Sequence, residues 1–529
     1  MKFKYILAST LVSASLISVA QTTTENPITK AMMEVYQQEL DADPQNYEVY
    51  FRRASEYYNL SQYLRALNDI NEAIKYTPVT ETDLLFQEYT LRANIYAMSD
   101  RNEDALADLT QACQLDPTSL TALYLKANTE LELGKYAAAK EDFGKLQRND
   151  PRNLEALFGL ARIAVKENNL GLANEYVDQA VTMAPSNSVA YLQRANVRQL
   201  MGNNTGAVDD LILAISIDKD NTVALSRLVA MSHDDYNAVI TGLTSAIQQA
   251  PAVGMFVYLR AVIAMSHYRY KAAIDDFHTI IDENLYNYHG IYSSLAECLL
   301  GLGKYQEALT EINQAMSMTT DNGMYYVTRA KIRRAMGDYD KALESADAAV
   351  EKLPNSPQAL AEKGLCLESL EKYRDASSMF GEAVMDAPDN ALYYLMRAKV
   401  LAGNLKEAGS ARNLYQRVID LETPENTVKS FKGFAMLQLN KRADAISWIE
   451  SILSSVKDVD GSINYYAACL YAQMGNKEKA FDCMERSLEN GYADYYNWTR
   501  NSDTIVSVAP LRDEARFKSL LEQYNYLFN

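Results

Sequence analysis

Little glycine and less proline stand in this sequence, 21 and 12 among 529 residues, which suits a chain built mostly of helix. No Gly/Ser-rich or Pro-rich stretch divides it, and an apolar content of 48% excludes wholesale disorder. Histidine is scarcer still. His233, His267, His278 and His289 complete the set, and none falls in an H-E-x-x-H or other metal-ligand spacing. His267 reads as a turn residue and His278 as a helix-face residue. No G-x-S-x-G elbow and no P-loop occur, and "GLGKYQ" at Gly301 lacks the third glycine of a dinucleotide loop. Carboxylates are plentiful but suit solvated helix faces, so no catalytic pair stands out, and neither a metal nor a cofactor is expected. The five cysteines (Cys113, Cys298, Cys366, Cys469, Cys483) sit in apolar helical patterns, read as buried thiols. Cys469 and Cys483 are near enough for a disulfide to be the alternative. Cations are outnumbered, 51 against 69 acids, for a net charge of −18. A field of that sign disfavours nucleic acid as a partner.

Three features are present in strength: an apolar start, tyrosine and a repeat. "MKFK" followed by "YILASTLVSASLISV" has the form of a secretory signal, with Ser18-Val19-Ala20 placing small residues for cleavage after Ala20. No cysteine follows to suggest lipid attachment, and no later run is long enough to span a bilayer. An exported product is expected, in a bacterial periplasm or envelope or outside the cell. Tyrosine numbers 37. The repeat explains most of that excess.

Small residues recur at Ala66, Ala105, Ala139, Ala173, Ala207, Val239, Ala273, Ala308, Ala342, Ala376, Ala411, Ala445 and Ala480, at intervals of 34 or close to it. Each unit carries two apolar helical stripes joined by a short turn such as "LGKY" or "MGDY". In the fifth unit Tyr191, Ala195 and Arg198 share one helix face, and Ala207, Leu211 and Ala214 another. Proline closes many units (Pro78, Pro117, Pro151, Pro185, Pro354, Pro388), ending the second helix. Tyrosines at turns (Tyr63, Tyr136, Tyr270, Tyr305, Tyr339, Tyr373) cover the core with a ring while the hydroxyl reaches water or a backbone group.

The pattern resembles the tetratricopeptide repeat family, over about thirteen units. The resemblance implies an all-α fold, a right-handed superhelical solenoid of antiparallel helix pairs with terminal capping helices. The expected layout is a signal over 1–20 and a linker with capping helix over 21–46. The array follows over 47–488 and a capping loop and helix over 489–529. The array is irregular near 222–251, where the sixth unit is two residues short at "SHDDY". It is irregular again near 426–461, where Lys429 replaces an aromatic and Trp448 lies beside the core.

A tyrosine, then two residues, then "RA" ends at Ala54, Ala93, Ala195, Ala330 and Ala398. Where the first helix has Arg or Lys there, the second helix often has Asp sixteen residues on: Arg53 and Asp69, Arg92 and Asp108, Lys126 and Asp142, Arg194 and Asp210, Arg260 and Asp276. In the fourth unit Leu160 and Tyr176 replace both charges together. An internal salt bridge explains this better than a ligand contact. The rule has exceptions, since Arg329 is matched by Ser345, Lys363 by Met379 and Leu295 by Glu311.

In the family, first helices line a concave surface that binds segments of other proteins. The resemblance therefore assigns partner contact to Asn94, Tyr124, Asn128, Phe158, Arg162, Asn196 and Tyr258. Asparagine there suits either a peptide backbone or a solvated face. Relatives that clamp a carboxylate tail pair such asparagines with lysine one turn earlier; here Thr90, Tyr124 and Leu192 stand in those places, so that clamp is incomplete. The leading expectation is a non-enzymatic exported scaffold for other proteins or peptides. The alternative is a receptor or carrier for an envelope glycan or peptide fragment in a tyrosine-lined groove.

Overall fold

The computed structural model describes residues 27–285, 288–422, 426–500 and 506–529; the expected signal over 1–20 lies outside them. Every element in the described residues is helical, and no helix among them is long and apolar enough to cross a membrane. The chain forms two compact units that divide between Leu228 and Val229, inside the helix Thr222–Asp234.

Within each unit the helices come in antiparallel pairs of 12 to 17 residues, such as Tyr47–Asn59 with Tyr63–Tyr76 and Ser188–Leu200 with Asn204–Ile217. First helices are commonly opened by a side-chain cap. Asn46, Ser119, Asn153, Asn187, Ser356 and Asn390 each accept from a backbone N–H at the helix start, filling a donor that has no carbonyl partner. Second helices are entered through one left-handed residue, glycine at Gly202 and Gly303 but Ser61, Asp100, Asn168 or Tyr268 elsewhere. That single residue reverses the chain so that the pair lies side by side. The sixth pair has no such residue. Asp235 has φ −147 and caps the second helix by accepting from the Ala238 N–H, so the two missing residues are taken from the turn.

The core is a column of small residues with larger ones wedged between. Ala54, Ala66, Ala73, Ala127, Ala139, Ala207 and Ala214 are all 0% exposed, and Phe143, Phe277 and Phe380 fill the spaces beside them. First helices also touch first helices of the next repeat, as Leu120–Glu132 does Leu154–Lys166 and Gly323–Ala335 does Pro357–Ser369. They therefore lie on the tighter, inner side of each stack.

The helix Pro27–Ala42 covers the start of the first unit with Leu40 buried, while Met32 stays exposed. At the other end the helix Ala515–Gln523 buries Phe517 and Leu520 and packs on Lys477–Glu489. All five cysteines are free thiols, and Cys469 and Cys483 are buried. Lys429 belongs to a stretch whose side chains lie outside the description. Trp448 lies under the Lys432 ammonium, 5.7 Å from it.

Candidate functional site

The recurring cations decide which groups remain for a ligand. Arg53 donates from Nε and Nη2 to both oxygens of Asp69 at 2.6 and 2.9 Å, and Arg92 does the same to Asp108 at 2.7 and 2.8 Å. Arg194 grips Asp210 at 2.9 and 2.7 Å, and Arg260 grips Asp276 at 2.9 and 2.6 Å. Lys126 bonds Asp142 and also donates to Glu130 at 2.8 Å. The aspartates are 1 to 10% exposed and the cations 12 to 25%, so these pairs are partly desolvated and lie inside the fold. At Asp142 burial pushes the carboxyl up, but Lys126 and Lys145 outweigh it and hold the group below its ordinary range. Burial dominates at Asp210, raising its carboxyl despite two guanidiniums.

The remaining Nη1 of each arginine reaches backwards, a contact with no sequence signal of its own. Arg53 donates to Gln37, Arg194 to Asp178 and Arg260 to Thr244, each sixteen residues earlier on the preceding repeat's second helix or on the N-terminal capping helix. Arg92 donates to Asn71, twenty-one residues earlier, because the interval into the second repeat is five residues longer. One guanidinium thus ties three helices. The exceptions follow from the same geometry. Lys363, lacking an acid ahead, pairs backwards with Asp347 at 2.9 Å, and Arg329 reaches the Ser345 hydroxyl at 3.2 Å.

With those cations engaged, the inner face of the first unit carries a polar ladder from one first helix to the next. Arg162 donates to Asn128 at 3.3 Å and to Glu132, Tyr124 donates to Glu155 at 3.0 Å, and Arg227 donates to Asn196. Arg162 remains 45% and Glu132 57% exposed. Asn94, Tyr124, Asn128 and Asn196 are half-buried. Phe158 departs from the expected placement. It is 6% exposed and packs with Leu157, Ala180, Val181 and Ala190. Ala180 and Val181 come from the second helix of its own repeat and Ala190 from the next first helix, and together they enclose the ring. Tyr258 lies in the second unit, half-buried against Phe277 with ring centroids 6.4 Å apart. Within the first unit Asn128, Arg162 and Tyr124 come together with Glu132 and Glu155, while Phe158 is core; Tyr258 belongs to the second unit.

Glu132, Glu155 and Arg227 escaped sequence reasoning, although their offset of about one repeat from an assigned residue is a usable signal. In the second unit, first helices are joined by Thr328 donating to Glu297 at 3.1 Å and Lys399 to Glu368 at 2.8 Å. Arg334 donates to Glu362 at 2.8 Å, with both side chains buried. Leu365 and Leu395 are buried too, so less polar surface is offered there. No cluster of three metal-ligating side chains occurs among the described residues. The ladder's chemistry is hydrogen bonding and charge, with Arg162 and Tyr124 as donors and Asn128, Glu132 and Glu155 as acceptors.

Comparison with known proteins gives consistent matches. Family models described as tetratricopeptide repeat match residues 47–80, 124–188, 333–400 and 457–490. The human mitochondrial import receptor subunit TOM70 is 21% identical over 457 residues, covering 82% of this chain and 74% of its own. Among solved structures, yeast Tom70 covers 77% of this chain and 96% of its own at 16% identity and a TM-score of 0.35. A tetratricopeptide repeat protein from Parabacteroides merdae covers 54% and 99%, at 16% identity and a TM-score of 0.30.

Proposed function

The chain is a tetratricopeptide-repeat protein, and we propose that it is an exported, non-enzymatic scaffold that holds a partner polypeptide along the inner face of its first unit. The carrying observation is the exposed polar ladder around Arg162, Asn128, Glu132, Tyr124 and Glu155. Its side chains are held by one another before any ligand arrives, which lowers the entropy lost on binding. A surface that carries both donors and acceptors suits a polypeptide, whose backbone carries both. A receptor subunit among the relatives agrees with such a role. Export rests on the N-terminal pattern, and the proposed address is a bacterial periplasm or envelope, or outside the cell.

Affinity capture from a cell-envelope fraction tests both parts. The captured chain should begin at Gln21, and protein partners should fall by about tenfold or more with Arg162→Ala and Asn128→Ala combined. Partners that survive this double substitution would place recognition elsewhere. Glycan-array binding without protein partners would favour the alternative, a carrier of envelope glycan or peptide fragments.

A further inference from the structure

A solenoid repeat ordinarily touches only its neighbours. The second unit breaks that rule. After Ser455 the chain returns to the turns that join the helix pairs of the sixth to ninth repeats, more than 160 residues earlier. Lys457 donates to the Asp234 carbonyl at 3.0 Å, and Arg269 donates to the Asn490 carbonyl at 2.9 Å. Tyr492 lies on Tyr268 with centroids 4.4 Å apart, and Tyr270 donates to Asp494 at 3.5 Å. Tyr496 meets the edge of Tyr305 and accepts from Arg334 at 3.4 Å. These contacts occupy consecutive turns in order.

The returning segment is built for this position. Tyr492 stacks on Tyr465 at 4.7 Å, and Trp498 stands edge-on to both, all three under 2% exposed. Asn497 donates from its backbone and side chain to Asp494, fixing that carboxylate under Tyr270. Gly491 has φ +87, which favours glycine, and a Cβ there would stand 1.9 Å from Nη1 of Arg269, so any side chain would push the guanidinium off its place over the backbone. The helix Ser462–Gln473 is buried nearly all round, as a helix packed on opposite sides must be.

We infer that residues 457–500 are a clasp that locks the turn edge of repeats six to nine, holding sequence-distant repeats together and occupying that edge in cis. A partner that reads this row of turns must first displace the clasp. The inference is independent of partner binding at the first unit.

Hydrogen exchange on the full chain tests it. Tyr492→Ala should speed exchange about tenfold or more at the turns near 234–236, 267–270 and 303–305, while the tenth repeat, Pro357–Asp386, keeps its protection. Acceleration confined to residues 462–500 would overturn the inference. If Tyr492→Ala loosens the whole unit, Tyr268→Asn is the second variant. Asparagine tolerates the φ of +57 at that position, so the ring is lost without backbone strain. Residues 490–498 should then lose protection, more than 220 positions away. Unchanged exchange there refutes the clasp.

Discussion

Removing Asp108 while keeping Arg92 isolates the value of one brace. Asp108 suits the experiment better than Asp210, which Arg198 also reaches at 2.9 Å. The Asp108 side chain is 7% exposed and Arg92 19%, between a surface pair, worth about 0.2–1 kcal/mol, and a broken buried pair, costing about 3–5 kcal/mol. In Asp108→Ala the guanidinium keeps Asn71 at 2.8 Å and the rings of Tyr89 and Tyr96 at 5.5 and 5.8 Å. Those contacts trim the loss to roughly 2–3 kcal/mol. With Arg92→Leu already made, no cation is left stranded and the same substitution should cost under about 1 kcal/mol, a coupling near 2 kcal/mol. An array of this length does not unfold in one step, so the quantity to measure is the local opening free energy of amides in Asn102–Leu115 by native-state hydrogen exchange. Equal costs in the two backgrounds would falsify the brace.

Two further outcomes follow from buried groups in the same unit. The single hydroxyl proton of Thr77 serves two acceptors, the Ala73 carbonyl at 2.9 Å and buried Glu88 at 2.7 Å, so the carboxylate is only weakly compensated for its burial. Burial pushes Glu88 from 4.5 to about 7, against the pull of Thr77 and Arg92. Its stabilising contribution is complete below pH 4.5 and lost as pH rises through about 7, at most ~3 kcal/mol. Glu88→Gln should therefore flatten the pH dependence of opening in Thr82–Met98 between these limits, and an unaltered slope counts against the assignment. Separately, a Cβ on Gly159 would meet the Phe143 ring at 2.3 Å. Gly159→Ala should destabilise the third and fourth repeats by about 1–3 kcal/mol despite alanine's better helix propensity, and a rise in thermal midpoint would contradict that.

Much of this was legible before any coordinates. Thirteen small residues at a 34-residue period are enough to place the helix pairs, because only a small side chain lets two helices approach at that point. Arg–Asp pairs sixteen residues apart were legible for a related reason: the turn is short and both helices have similar length, so sequence distance maps directly onto height in the hairpin. Phe158 reads as an outward residue from its helix position, and only the packing of Ala180, Val181 and Ala190 around it shows the ring to be enclosed.

What the sequence determined by itself is local: the helix pair, its turn and the charges that face each other across it. Tertiary structure decided the backward bonds of Arg53, Arg92, Arg194 and Arg260, the ladder joining Arg162 to Asn128 and Glu132, and the return of Tyr492 and Asp494 to the seventh repeat. The backward bonds and the ladder depend on how neighbouring repeats dock. The return of Tyr492 and Asp494 depends on accumulation: each repeat adds a small rotation to the one before, and the sum over several repeats decides which distant turns meet. A period can be read in one unit, but that sum exists only in the stack.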